Sequence, residues 1–354
     1  MSAGATASGS IVNDATLHLQ QPGGWLPVAF LLVMGLAMLV YVVLDGYDLG
    51  VGILLGAASE SHKDTMVASI GPFWDANETW LVLGVGVLLV AFPEAHGVIL
   101  GALYLPVTLM LVGLILRGVA FDLRAKAGIE HKPLWNRAFH GGSVLASLAQ
   151  GYMLGRWVTG FQAGGWADGF AALIAVCLPG AYALLGATWL VIKTDGALQL
   201  QAIRWARRSL RWTALGILAI SAATPLISPA IFDRWFSLPY VVLLMPVPLA
   251  TVLIFFIVER SLRRLPTRLE TGNAYGDWVP FAGTVAILLL AFYGLAYSMF
   301  PWLVINRLTV WQAASSPESL FIIFIGACVV LPVIGAYTVF SYHVFRGKAT
   351  ALKY

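Results

Sequence analysis

Nine stretches of this chain, near residues 25–56, 78–95, 97–121, 139–158, 168–192, 211–230, 238–258, 278–300 and 320–345, are dominated by apolar side chains. No other feature restricts the fold as much. About 20 apolar residues wound as a helix cross the hydrocarbon core of a bilayer, which is roughly 30 Å thick. That core holds no water, so a spanning segment must satisfy its own backbone, and short of a closed barrel only a helix does so.

Composition agrees. The 354 residues are 59% hydrophobic and 11% charged, against about 25% charged in an ordinary soluble domain. The expectation is an all-α polytopic membrane protein with nine transmembrane helices. Residues 25–348 form a single membrane domain, 1–24 an outward-facing N-terminal segment, and 349–354 a cytoplasmic tail. Every connection is short, and spans two and three are parted only by the turn Phe92-Pro93-Glu94-Ala95-His96-Gly97. Residues 1–24 hold no Lys or Arg, so the basic n-region of a cleaved signal peptide is missing. The net charge of +4 does not point to nucleic acid, because membrane proteins gather Lys and Arg in cytoplasmic loops.

That bias also sets an orientation. With Arg211 counted at the edge of its loop, 17 of the 21 Lys and Arg fall in the C-terminus and the loops after spans one, three, five and seven. Three fall on the other side, and Arg117 lies inside a span. The N-terminus is therefore expected outside and the C-terminus in the cytoplasm.

Three polar groupings collect at the cytoplasmic ends. Asp45 and Asp48 close span one and share a helical face at a spacing of three. Around them Gly46, Gly50, Gly52 and Gly56 form small-residue rows suited to close helix packing, so a packing role and a proton or ligand role both stay open. Trp74-Asp75-Ala76-Asn77-Glu78-Thr79-Trp80 opens span two. Asp75 and Glu78 have the spacing of a capping box, and carboxylates at the mouth of a membrane helix can also collect protons. Span three ends with Arg117, Asp122, Arg124 and Lys126. Arg124 and Lys126 are expected to snorkel to the headgroups, while the deeper Arg117 needs an acidic partner in this chain or another. The shared depth of Asp45, Asp48, Asp75, Glu78, Arg117 and Asp122 suggests a functional site, although a structural ion-pair network leaves the same trace.

Redox groups find little support. No span carries a mid-membrane histidine, since His96, His140 and His343 lie at span ends and His18, His62 and His131 in loops. Axial haem ligation wholly within the chain is not expected. Cys177 and Cys328 lie inside apolar runs without disulfide or metal spacing. No phosphate loop, nucleophile elbow or metal motif occurs.

Several stretches resemble subunit II of the cytochrome bd quinol oxidases. They are Asp45-Gly46-Tyr47-Asp48-Leu49-Gly50, Trp74-Asp75-Ala76-Asn77, the run from Arg117 to Arg124, Gly186 to Thr194, Thr309 to Ser316, and Ala336 to Tyr342. The likeness runs from about residue 25 to 348. It implies two four-helix bundles plus one peripheral helix, in the inner membrane of a bacterium. It further implies a heterodimer with a subunit I that holds haem b, haem d and the quinol-oxidising loop, and that reduces O2 to water in aerobic respiration. This chain would be the haem-free partner, binding no metal. Small single-helix subunits attend some relatives, and some hold a structural quinone in subunit II. Carried over by motif, a cytoplasmic proton route maps to Asp75, Asp122 and Lys126, with Asp45, Asp48, Glu78 and Arg117 as a supporting polar cluster. Ala76 stands where the family often has Gly. The short loop after span six resembles the cyanide-insensitive branch. Two rival readings are an ion-coupled transporter, which the one-sided acids disfavour, and a purely structural scaffold.

Overall fold

The computed structural model describes residues 16–349 apart from 129, 239 and 273. Most of the expected outward-facing segment, 1–15, and most of the expected tail, 350–354, lie outside the described residues.

The chain is helical nearly throughout. In order, the helices are α1 (Leu26–Leu55), α2 (Glu60–Ile70), α3 (Trp74–Ala91), α4 (Pro93–Lys126), α5 (Lys132–Val158), α6 (Gly165–Lys193), α7 (Gly196–Ile227), α8 (Pro229–Phe236), α9 (Tyr240–Leu244), α10 (Pro246–Glu270), α11 (Val279–Met299) and α12 (Pro317–Val344). Among the described residues, eight helical segments are long and apolar enough to cross a membrane. They are α1, α3, α4, α6, α7, α9 with α10 (Val241–Glu270), α11 and α12. The expected fourth span is present as α5, with 27 residues, but it falls outside that group because Arg137, His140, Gln150 and Arg156 interrupt its apolar surface.

Three departures from the expected pattern occur in the connections. Helix α2 forms between α1 and α3. The link after α7 is not a bare turn, because α8 forms in it, with the Ser228 hydroxyl accepting from Ile231 N. Between α11 and α12 the chain forms an antiparallel hairpin of β1 (Trp302–Val304) and β2 (Leu308–Thr309). The latter two are too short to leave a periodic signal in the sequence.

Phe92 alone separates α3 from α4. Pro93 lacks an N–H and disfavours helical geometry in the residue before it. Phe92 accordingly leaves the helical region (φ −136°, ψ 60°), and Pro93 begins the next helix. The hairpin end of the molecule then closes over this corner. Ser315 N donates to the Ala91 carbonyl at 2.9 Å, and its hydroxyl to Val90 O at 2.7 Å. These bonds satisfy carbonyls that a helix end would otherwise leave without partners. Trp311 Nε1 donates to Gly24 O at 2.9 Å, which ties the same stretch to the start of α1.

Helix α1 is the axle. It packs on α3, α5 and α6, while α4 lies on α5, α7 on α6, and α10 on α11. Close approach depends on two glycines. A Cβ on Gly50 would lie 1.8 Å from the Tyr182 carbonyl oxygen, and one on Gly186 would lie 2.4 Å from the Gly50 carbonyl carbon. Bare backbones therefore touch where α1 crosses α6, as small-residue rows allow. That contact fixes the rotation of α1 and turns Asp45 and Asp48 inward.

Candidate functional site

At the end of the molecule where α1 finishes and α3 begins, charged groups are enclosed by the helices. Asp45, Asp48 and Arg117 are each 0% exposed. Arg117 Nη1 donates to Asp45 Oδ1 at 2.6 Å and lies 3.5 Å from Glu78 Oε1, whose side chain is 26% exposed. The pairing joins α1, α3 and α4. It satisfies the demand that a buried arginine have an acidic partner, and the partner is within this chain. The inventory is three carboxyls to one guanidinium, a surplus of acid that only protons or added cations can balance. Asp45 Oδ2, Asp48 Oδ1 and Arg117 Nε and Nη2 are buried without a hydrogen-bond partner among the described residues.

Asn77 is the hub beside this network. Its amide nitrogen donates to Asp48 Oδ2 at 2.7 Å and to the Tyr47 hydroxyl at 2.9 Å. Its carbonyl oxygen accepts from Tyr342 Oη at 3.1 Å. Through Tyr342 the lightly attached α12 reaches the core. One turn back along α1 from Asp45, Tyr41 accepts from Gln150 Nε2 at 2.7 Å, and Tyr182 donates to Gln150 Oε1 at 2.6 Å. Polar side chains thus continue from the ion network toward α5 and α6.

The tryptophans flanking Asp75 have separate duties. Trp74 covers Arg117, with the guanidinium carbon 6.0 Å from its ring centre, and leans on Phe121 at 4.9 Å. Trp80 is buried in a cluster with Ala37 and Tyr41. The first closes the ion network and joins the ends of α3 and α4, and the second docks α3 on α1.

The expected supporting cluster of Asp45, Asp48, Glu78 and Arg117 is brought together. Asp75, Asp122 and Lys126 are not drawn into it and lie on the exposed surface of the chain. Asp75 and Asp122 are the immediate neighbours of Trp74 and Phe121, so they flank that aromatic contact. Two local expectations are corrected. The capping box of Asp75 and Glu78 does not form, because α3 begins at Trp74, its N-cap is Phe73, and no side chain caps it. Asp75 instead lies within the first turn, where the helix dipole favours an acid. Arg124 does not snorkel outward. It is buried, donating to Asn136 Oδ1 at 2.6 Å and pairing with Asp64, because α2 and α5 pack over that end of α4.

Sequence reasoning missed Asn77, Gln150, Tyr182 and Tyr342 as partners in the site. Asn77 carried the clearest signal, as an amide inside the tryptophan-flanked motif. Gln150 carried a weaker one, as a lone amide in an apolar stretch of helix.

Apolar helices enclosing an acid-rich ion network at one end define a multi-pass helical membrane protein with a buried charged centre. Residues 26–345 match the family model described as cytochrome bd terminal oxidase subunit II. The chain belongs to that family, whose members are part of a quinol:oxygen oxidoreductase complex. Cytochrome bd ubiquinol oxidase subunit 2 of Bacillus subtilis is 27% identical over 331 residues, which is 88% of this chain and 93% of that protein. Cytochrome bd-I ubiquinol oxidase subunit 2 of Escherichia coli K12 is 33% identical over 130 residues, 35% of this chain and 34% of that protein. Among solved structures, a chain of the bd oxidase from Geobacillus thermodenitrificans superposes with a TM-score of 0.72 at 19% identity, covering 90% of this chain and 99% of that one.

The family implies haem in the complex, and three of the described histidines have the following partners. His140 donates from Nδ1 to Gly52 O at 3.1 Å. Its ring packs against Gly56, where a Cβ would lie 2.7 Å from Cε1 and 2.9 Å from Nε2. His62 is engaged with Gln201 Oε1 at 3.0 Å, and His18 stacks on Trp311.

Proposed function

We propose that this chain is the haem-free subunit of a bd-type oxidase, seated against a subunit I that carries haem b and haem d, and that it helps deliver cytoplasmic protons to that partner. The haems would supply O2 binding and electron transfer, and this chain the polar surface and fixed charges beside them. The observation that carries the reading is the meeting of α3 and α4 at Trp74 and Phe121. Asp75 and Asp122 follow these two residues in sequence and are exposed, with Lys126 one turn beyond Asp122. Glu78 lies one turn inward from Asp75, partly exposed and 3.5 Å from the buried Arg117. A graded series of carboxyls from surface to interior is what a proton relay needs. Asp45 and Asp48 lie at the inner end of that series, enclosed completely by helices.

In this reading α5 is a ninth crossing. Helices α1, α3, α4 and α5 form one bundle, α6, α7, α10 and α11 a second, and α12 is peripheral, in keeping with the packing partners of each. The N-terminus faces outward and the C-terminus the cytoplasm of a bacterial inner membrane. A structural quinone and small single-helix subunits belong to the same reading through the family resemblance.

The test is Asp75→Asn and Asp122→Asn in the complete complex. Proton delivery predicts unchanged haem content with slowed O2 consumption, restored in part by the conservative Asp75→Glu. Unchanged turnover at full haem content would reduce the chain to a scaffold. Loss of haem would mean that these residues hold the subunits together.

A further inference from the structure

The basic end of α7 carries a feature that the oxidase reading leaves unused. Arg204, Arg207, Arg208, Arg211, Trp212 and Leu215 line an open cavity of about 370 Å³. Its charge is poorly neutralised from within. Glu259 on α10 is the acid that faces it, 3.5 Å from Arg207 Nη2 and 3.8 Å from Arg211 Nη2. That carboxylate is already held by Arg263 at 2.7 Å. Arg204 and Arg208 have no acidic partner among the described residues, and Arg207 Nε is buried without a hydrogen-bond partner. Two of the four guanidiniums therefore share with Arg263 a single carboxylate, and the other two have none among the described residues.

Below the arginines the same helix face turns apolar. Arg204, Arg208, Arg211, Leu215 and Leu218 step by four, three, four and three residues, so they form one stripe. The arginine part spans about 10 Å along the axis at 1.5 Å per residue. Leu215 and Leu218 continue it with 64% and 66% of their surface exposed. Trp212 walls the cavity beside the junction and is fixed there, because a Cβ on Gly180 of α6 would lie 2.0 Å from its Cδ1. Tryptophan at the boundary between charged and apolar surface is characteristic of headgroup level.

A pocket that is strongly cationic at one end and continuous with exposed apolar surface at the other matches an amphiphile with an anionic head. Basic pockets beside membrane helices are suited to doubly charged phospholipid headgroups. We propose that this cavity binds an anionic phospholipid with two phosphates, of the diphosphatidylglycerol class. Its headgroup lies across Arg204, Arg208 and Arg211, and an acyl chain runs along Leu215 and Leu218. Arginine suits the role because its planar fork can hold phosphate oxygens in pairs.

The test is native mass spectrometry of the complete, delipidated complex titrated with cardiolipin, phosphatidylethanolamine or inorganic phosphate. Cardiolipin is expected to bind more tightly than phosphatidylethanolamine. Arg204→Gln/Arg208→Gln is expected to weaken it about thirtyfold, since each basic residue near an anionic lipid contributes about 1 kcal/mol. Arg204→Lys/Arg208→Lys is expected to keep most of the binding, which separates charge from folding. Equal cardiolipin binding by the Gln pair would overturn the proposal. So would displacement of cardiolipin by equimolar phosphate, which would mark a site for the free anion. Dissociation of a subunit in the Gln pair would also overturn it, because the face would then be a protein contact.

Discussion

Arg117 and Asp45 are 72 residues apart in sequence, come from different helices, and meet through a 2.6 Å hydrogen bond with neither side chain exposed to solvent. Pairing does not make such a contact a source of stability in itself, because desolvating two charges offsets most of their attraction. Its effect is to make each partner costly to remove alone.

Arg117→Gln should therefore destabilise the protein by about 3–5 kcal/mol, the usual effect of breaking one side of a buried pair. Asp45→Asn should cost less, because Glu78 remains 3.5 Å from the guanidinium as a second acid. Combining the two substitutions should recover part of the loss. A double-mutant cycle on the thermal midpoint of the detergent-solubilised complex measures the coupling, and strictly additive losses would contradict the direct pairing.

Gly50→Ala should push α1 away from α6, since the new methyl would meet the Tyr182 carbonyl oxygen at 1.8 Å. Helix separation there would also turn Asp45 away from Arg117. The expected result is a loss of about 1–3 kcal/mol or more, the range for overpacking a tight contact, with poor assembly. Gly169→Ala on α6 serves as a control, because nothing lies within 4 Å of its added Cβ. It should be neutral or gain up to about 1 kcal/mol from helix propensity. Expression yield and thermal midpoint compare the pair.

How much of this was legible beforehand differs by level. The apolar runs located the long helices, because hydropathy over 20 residues reports a bilayer directly. The hairpin at 302–309 and the short helix α8 carry no such pattern. Common depth grouped Asp45, Asp48, Asp75, Glu78, Arg117 and Asp122, since helical spacing and span ends fix height, but depth alone did not separate the four that meet from the exposed Asp75 and Asp122. Rotation is a different matter. Which acid meets Arg117, why Arg124 turns inward to Asn136, and how Asn77 gathers Asp48, Tyr47 and Tyr342 all depend on angles set by contacts such as Gly50 with Gly186. Those contacts join residues more than 100 positions apart, and a single sequence does not record them.

Asn77→Leu should leave Asp48 buried with neither oxygen hydrogen-bonded, at a cost of about 1–3 kcal/mol for the stranded group. It should also loosen α12 in part, because the Tyr342 hydroxyl loses its 3.1 Å bond to Asn77 Oδ1 while keeping the Tyr47 hydroxyl at 2.5 Å and the Phe73 ring. Tyr342→Phe should loosen α12 while costing only about 1 kcal/mol, because Asn77 keeps its bond to Asp48. Limited proteolysis near the C-terminus reads the loosening. Equal protection in Asn77→Leu and the unsubstituted protein would contradict it.

The pairing of Asp64 with Arg124 gives a pH signature at the edge of α2. Partial burial alone would raise the Asp64 carboxyl, but Arg124 and Lys132, the latter 3.5 Å away, outweigh it, so it lies below the ordinary carboxylate value. A depressed carboxyl contributes stability above its unfolded pKa of about 3.9, and the contribution fades as pH falls from there through the folded value. Asp64 is largely exposed, so the pair is worth only about 0–1 kcal/mol after solvent screening. Asp64→Asn should accordingly lower the thermal midpoint slightly at neutral pH. The difference from the unsubstituted protein should shrink as pH is lowered past about 4, and high salt should reduce it as well. A difference that instead grows on acidification would reverse the sign and exclude Asp64 as the ionised partner of Arg124.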